Sequence, residues 1–281
     1  SDLAYKAAIQ LFAAGACDPL HIDYILLCTQ SPDYFLPTTA CMLQHRLGLS
    51  TRVGAIDYNL GCSGYVYGLG LAKGLIETEQ AENVLLLTAD TYTKFIKRDD
   101  KSVRTLFGDA ATATLVHGKD AAEQFIGPFV YGTDGSGARE LIVEKGGMRD
   151  LAIHGHEEDR PQEKPSLYMN GPKIFNFTIE TIPPLIYEML NRTGFTINDI
   201  DWFVFHQANT FMLEYLRKKI NIPSERFVIS MRDFGNTVSS TIPIALKMMD
   251  NEKKLVSGNT IMLVGFGVGY SWAAAIIKWS A

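Results

Sequence analysis

The 281-residue sequence has only four cysteines, Cys17, Cys28, Cys41 and Cys62. No two of them form a C-x-x-C pair, so no thiol-redox or zinc-ribbon signature is present. Nothing in the sequence resembles a secretory signal, and a reducing, cytoplasmic setting is expected. Excess positive charge is also missing. The formal net charge is −5, which argues against general nucleic-acid affinity and leaves only local basic patches. The longest charge-free stretch, residues 255–277, is broken by Ser257, Gly258, Asn259, Gly265, Gly267, Gly269 and Ser271. It reads as two buried strands around a glycine loop, with no membrane span. Gly132-Thr-Asp-Gly-Ser-Gly137 lacks the lysine and helix of a P-loop and reads as a turn. His154-Gly-His156, followed by Glu157, Glu158 and Asp159, has no supporting ligand cluster and reads as an exposed polar loop.

What remains is a globular chain, 47% hydrophobic and 20% charged, long enough for one large domain or two fused halves. It is organised around residues 57–69, with Cys62 near the centre. Val53, Ala55 and Ile56 precede it as a short buried strand. Tyr65, Leu69, Ala72 and Ile76 follow at helical spacing. Gly61, Ser63 and Gly64 leave room around the sulfur. A thiol at such a strand–turn–helix junction faces backbone N–H groups and the positive end of the helix dipole, which favour thiolate. The same letters also suit a buried structural cysteine.

Along the chain, residues 1–14 read as an amphipathic helix, 22–29 as a strand and 37–47 as a helix with Pro37 near its start. Strands are expected at 53–56, 84–89 and 110–116, with a polar loop at 91–105. The second half repeats this order: helix 178–190 holding Pro183 and Pro184, strand 200–205, helix 211–219, strand 227–230, loop and helix 236–249, and strands 261–264 and 272–277. Residues 21–30 align with 199–208, placing Cys28 opposite His206, and the Cys62 turn falls opposite Phe234-Gly-Asn-Thr237. A repeat this long is a duplicated supersecondary unit. The halves are expected at 1–130 and 168–281, joined by an insert at 131–167 that partly covers a cleft. In such α/β sheets functional groups gather beyond the carboxyl ends of the strands. Cys62, His206 and Asn236 each follow a strand.

Gly61-Cys-Ser-Gly64, Phe205-His-Gln-Ala-Asn209, Phe234-Gly-Asn-Thr237 and Gly265-Phe-Gly-Val-Gly-Tyr-Ser-Trp272, in this order on a duplicated frame, resemble β-ketoacyl-acyl carrier protein synthase III of the thiolase fold. Phe107-Gly-Asp-Ala110 and Tyr168-Met-Asn-Gly-Pro-Lys-Ile-Phe175 add to the likeness. The resemblance implies an α/β fold of thiolase-like duplicated α-β-α-β-α layers, two pseudo-symmetric halves with mostly parallel sheets, and a homodimer. It implies Cys62 as the nucleophile that takes an acyl group from acyl-CoA. The backbone N–H groups of Cys62 and Val268 would form the oxyanion hole. His206 and Asn236 would hydrogen-bond the malonyl thioester of an acyl carrier protein as carbon dioxide leaves, with His206 neutral. No metal or redox cofactor is implied. Substrate contacts are expected from Leu36, in the partner subunit's acyl pocket, and from Phe107, Ile174, Phe175 and Asn209, with Arg104 as a candidate phosphate contact. Arg217, Lys218 and Lys219 are candidates for carrier-protein docking.

Departures from the family pattern are local. Relatives carry a further N-terminal strand and a loop whose Trp and Arg hold the CoA adenine. The likeness starts after that region, so a fragment, a processed form or a disordered leading portion is expected. Val268 stands where relatives often have Gly, Leu36 where they often have Phe, and Phe211 where they use a basic docking residue. An acyltransferase of the same fold, acting on a hydroxyl or amine without decarboxylation, is the competing function. A cysteine hydrolase lacks support from the repeat, and a non-catalytic subunit would not need all three site residues.

Overall fold

The computed structural model describes residues 1–150 and 165–280. Its first half runs α1 (Asp2–Ala13), β1 (Tyr24–Cys28), α2 (Thr39–Arg46), β2 (Gly54–Tyr58), α3 (Gly64–Glu77), β3 (Asn83–Asp90) and β4 (Ala110–His117). β5 (Ile126–Thr133), β6 (Leu141–Val143) and β7 (Leu167–Met169) follow. The second half holds α4 (Gly171–Thr193), β8 (Trp202–Phe205), α5 (Thr210–Ile220), α6 (Thr241–Asn251), β9 (Thr260–Gly267) and β10 (Ser271–Lys278). The charge-free 255–277 stretch is a two-stranded hairpin, and among the described residues no helix is long and apolar enough to cross a membrane.

Two four-stranded sheets form, in the orders β2-β1-β3-β4 and β5-β10-β9-β8. β2, β1 and β3 pair parallel, as do β8 and β9; β4 and β10 return antiparallel beside β3 and β9. The expected duplication is visible in backbone detail. Asp23 Oδ2 accepts from Asn83 N at the start of β3, and Asp201 Oδ2 accepts from Thr260 N at the start of β9. Five layers result. Leu43, Ile25 and Leu85 pack α1 and α2 on one sheet, Leu213, Ile186 and Phe203 pack α4 and α5 on the other, and Val66, Leu69, Ile242 and Leu246 fill the space between them. Each fully buried leucine there contributes roughly 1.5–3 kcal/mol.

Four expectations change. Residues 227–230 form no strand; Phe227 makes an isolated bridge to Phe203, and Val228 N donates to Phe203 O. Beyond that point the Gln207 side chain replaces backbone pairing, donating to Val228 O at 3.2 Å and accepting from Ser230 N at 2.8 Å. β5 straddles the boundary expected between residues 130 and 131 and joins the second half's sheet through β10, while residue 168 lies within β7. The 91–105 segment is also no simple polar loop, because Tyr92 and Val103 are buried in it. Of the turn expected at 132–137, Gly132 and Thr133 end β5 and Asp134 caps a short helix over 135–137, while the 154–159 segment lies outside the described residues.

α4 begins seven residues earlier than its expected start at 178 and continues through Pro183 and Pro184. Pro183 has no N–H to give the carbonyl four residues back. That carbonyl, Ile179 O, instead accepts from Lys219 Nζ at 2.7 Å.

Candidate active site

Cys62 lies between β2 and α3, two residues before the helix begins. It is 5% exposed. β9 runs so close that a Cβ on Gly267 would stand 2.8 Å from the Cys62 sulfur, so any side chain there would collide with it. Burial pushes the thiol up to about 12. The backbone N–H groups of Val268 and of Cys62 itself point at the sulfur and offset part of that rise. The thiolate expected from the helix start is therefore not the resting form, because desolvation outweighs the local donors. Val268 fits because its neighbour is small: a Cβ on Gly61 would meet Val268 Cγ1 at 2.7 Å.

His206 follows β8 and is 1% exposed. Its backbone N–H donates to Val264 O at 2.8 Å, and its ring meets Phe266 edge-on at 5.6 Å. Its Nδ1 lies 2.8 Å from Thr241 Oγ1. Burial drives the imidazole down to about 3, with partial compensation from the Val238 carbonyl, so the ring is neutral at working pH.

Asn236 is 5% exposed and is held by its backbone: its N–H donates to Leu106 O at 2.8 Å and its carbonyl accepts from Gly108 N at 3.0 Å. Its Oδ1 accepts from Val238 N at 3.0 Å. That bond orients the amide so that its NH₂ remains, making one long 3.5 Å contact to Ala208 O.

A chain of contacts joins the three. Cys62 abuts Gly267, Phe266 touches His206, His206 meets Thr241, and Thr241 Oγ1 lies 3.3 Å from the carbonyl of Val238, whose N–H holds Asn236. Cys62 also shares one apolar cluster with Tyr92, Val103, Phe107, Leu141, Leu167 and Val238. Ile174 and Val268 pack against that cluster. An open hollow of about 1,410 Å³ reaches Tyr92, Leu141, Leu167 and Val268 without touching Cys62, His206 or Asn236. It marks space beside the buried centre.

The other expected site residues separate from this group. Phe175 stacks on the exposed Phe211 at 5.7 Å. Asn209 spends its carbonyl capping α5, accepting from Met212 N at 2.8 Å, and so holds a helix end. Leu36 is 82% exposed. Arg104 donates to Arg98 O, and both border a hollow of about 330 Å³. Arg217 is paired with Glu214 at 2.9 Å, and Lys219 serves α4; Lys218 is exposed.

Sequence reasoning missed Asp90, Gln207, Ser239 and Thr241. Asp90 is fully buried and accepts from Gln30 N and from Ser239 N and Oγ. An acid closing the apolar run Val84-Leu-Leu-Leu-Thr-Ala-Asp90 was the available signal. Nothing in the letters marked Thr241.

A duplicated α/β frame with a buried thiol, a buried imidazole and a buried carboxamide on the loops between its elements is the arrangement of a thiolase-fold enzyme acting on acyl groups. Residues 56–135 match the family described as 3-oxoacyl-[acyl-carrier-protein] synthase III, and residues 190–279 match that family's C-terminal part. The chain is 34% identical over 280 residues to a β-ketoacyl-[acyl-carrier-protein] synthase III of Caldanaerobacter subterraneus subsp. tengcongensis, covering 100% of the chain and 83% of the relative. A similar protein of Staphylococcus epidermidis is 35% identical over 284 residues, again covering 100% and 83%. A 2.1 Å crystal structure of a 3-oxoacyl-(acyl-carrier-protein) synthase III superposes with a TM-score of 0.94 at 52% identity, covering 99% of this chain and 84% of that one. The chain belongs to the β-ketoacyl-acyl carrier protein synthase III family and is an acyltransferase.

Proposed function

We propose that the chain primes itself from acyl-CoA and then condenses the acyl group with a malonyl thioester carried by acyl carrier protein. The observation that carries this reading is the buried Cys62 thiol under the Val268 N–H, joined through Gly267, Phe266, Thr241 and Val238 to the equally buried His206 and Asn236.

In the first half-reaction the sulfur of Cys62 attacks the acyl-CoA carbonyl. The tetrahedral oxyanion takes hydrogen bonds from the Cys62 and Val268 N–H groups. The carbon–sulfur bond to CoA breaks, the Cys62 proton ends on the CoA thiol, and a new thioester remains on Cys62. The acyl chain lies among Phe107, Leu141, Leu167 and Ile174. In the second, the malonyl carboxylate leaves as carbon dioxide, and its bonding electrons form an enolate whose oxygen accepts from His206 and from the Asn236 NH₂. The enolate carbon attacks the acyl-Cys62 carbonyl, and the Cys62 sulfur leaves and regains a proton. The scheme uses no metal or redox cofactor.

Arg104 and Arg98 together suit a CoA phosphate. On α5, Lys218 is the cation left for a carrier protein, since Arg217 and Lys219 have structural partners. Leu36 would enter the acyl pocket of a second copy in a homodimer. All four cysteines are free thiols, which suits the cytoplasm. The exposed, 71% accessible Phe211 favours the second reading, acyl transfer to a hydroxyl or amine, because that route needs no carrier docking.

Intact-protein mass spectrometry tests the proposal. Incubation with a panel of acyl-CoAs should add one acyl mass to the wild type and none to Cys62→Ala. Malonyl-carrier protein should then discharge the wild type as β-ketoacyl product, while His206→Ala and Asn236→Ala stay acylated. Stoichiometric labelling of Cys62→Ala would remove Cys62 as nucleophile.

A further inference from the structure

We infer that Thr241 is a positioning residue that sets the tautomer of His206, its hydroxyl donating to Nδ1 so that the ring proton stays on Nε2. The inference rests on the proposed condensation and supplies what that step needs, a neutral imidazole with its N–H free to face the substrate.

The Thr241 hydroxyl has two acceptors within reach, and one of them, the Val238 carbonyl, also faces the imidazole. Thr241 Oγ1 is 2.8 Å from His206 Nδ1 and 3.3 Å from Val238 O. A hydroxyl carries a single proton. The shorter contact is the ordinary length for an O–H donor and the longer one exceeds it. Thr241, Val238 and His206 are each at most 2% exposed, so solvent does not compete for either acceptor. Thr241 opens α6, and the rotamer it adopts brings Oγ1 within reach of both the ring nitrogen and the carbonyl three residues back.

The opposite tautomer can be stated and tested. There Nδ1–H would donate to Thr241, the hydroxyl would pass to Val238 O, and Nε2 would be a bare lone pair. A lone pair repels an enolate oxygen, so that arrangement would leave Asn236 as the single side-chain donor.

Two variants and one spectrum decide. Thr241→Val keeps the shape and removes the hydroxyl; Thr241→Ser restores it. In Thr241→Val, acyl-Cys62 should still form to stoichiometry, while kcat for malonyl decarboxylation falls roughly 10- to 100-fold, less than the 10²–10³ for losing a transition-state donor outright. Thr241→Ser should recover most of that loss, with KM for the malonyl thioester little changed. The imidazole ¹⁵N spectrum of the wild type should show Nδ1 unprotonated and Nε2 protonated. A protonated Nδ1 in the wild type overturns the inference, as does wild-type turnover by Thr241→Val, or a Thr241→Ser variant as slow as Thr241→Val. If Thr241→Val does not fold, the wild-type spectrum still decides. A wild type that never acquires an acyl mass would instead remove the proposed function, leaving the tautomer to be read independently.

Discussion

At Cys62 two effects oppose each other. The helix start and the N–H groups of Val268 and Cys62 favour a thiolate, but loss of water favours the thiol, and burial wins, placing it at about 12. The sequence displays the first effect and hides the second, because Gly61, Ser63 and Gly64 announce a turn without showing that Gly267 closes over the sulfur. The two outcomes have different alkylation profiles. Only the thiolate reacts, so a thiol depressed to near neutrality would react at a rate that levels off by pH 8. For Cys62 we expect the rate of iodoacetamide addition, followed by peptide mass spectrometry, to keep rising through pH 9 without a plateau. The exposed Cys41 provides the internal reference. A plateau for Cys62 near neutrality would mean that the local donors outweigh burial after all.

Between elements, the carboxyl of Asp90 matters most, because it closes β3 and reaches the Ser239 segment that leads from Asn236 to α6. Burial lifts it from 3.8 to about 7, against the pull of its hydrogen bonds from Ser239 and Gln30. The folded protein then keeps a proton between those values that the unfolded chain has released. This contribution to stability is complete below pH 3.8 and is lost as pH rises through 7. Asp90→Asn lacks the titration. The wild type's unfolding free energy minus the variant's should therefore fall by on the order of a few kcal/mol between pH 4 and pH 8, read by urea denaturation. His206 titrates in both proteins and drops out of the difference. A difference that does not change with pH would place Asp90 at an ordinary value. Elements of this kind divide what the letters could convey. Periodicity located β1, β3, β8 and β9, since each is a short apolar run buried on both faces. It misplaced 227–230, where a glutamine side chain substitutes for a strand, and it shortened α4, where Lys219 reaches across from α5 to the carbonyl that Pro183 leaves without a donor. Both depend on side chains remote in sequence. The Cys62 and His206 motifs follow strands β2 and β8, while Asn236 follows the 227–230 run that forms none, and Thr241 and Ser239 act through partners that no local pattern names.

For the whole molecule, duplication leaves one asymmetry with consequences. The first half pairs three strands in parallel where the second pairs two, and the additional strand, β2, ends its sheet with an outer edge that pairs with no strand among the described residues. Ile56 on that strand is 39% exposed, and Tyr34, Phe35 and Leu36 stand out nearby in sequence at 61%, 71% and 82%. An unprotected edge strand is a template for another chain, and natural proteins rarely leave one bare beside exposed apolar residues. A second copy pairing β2 to β2 about a twofold axis would satisfy the edge in both protomers at once. That is the homodimer proposed above, and it would carry Leu36 toward the partner. Multi-angle light scattering in dilute buffer should then give twice the chain mass. Ile56→Asp places a charge on the edge at a position already partly open, so it should halve that mass while leaving the circular dichroism spectrum unchanged. The proposed role of Leu36 adds a second reading of the same variant. If the partner's Leu36 completes the acyl pocket, the monomer should accept acyl-CoA with altered chain-length preference. A wild type that scatters as a monomer would leave β2 an ordinary charged-rim edge and Leu36 without a pocket to line.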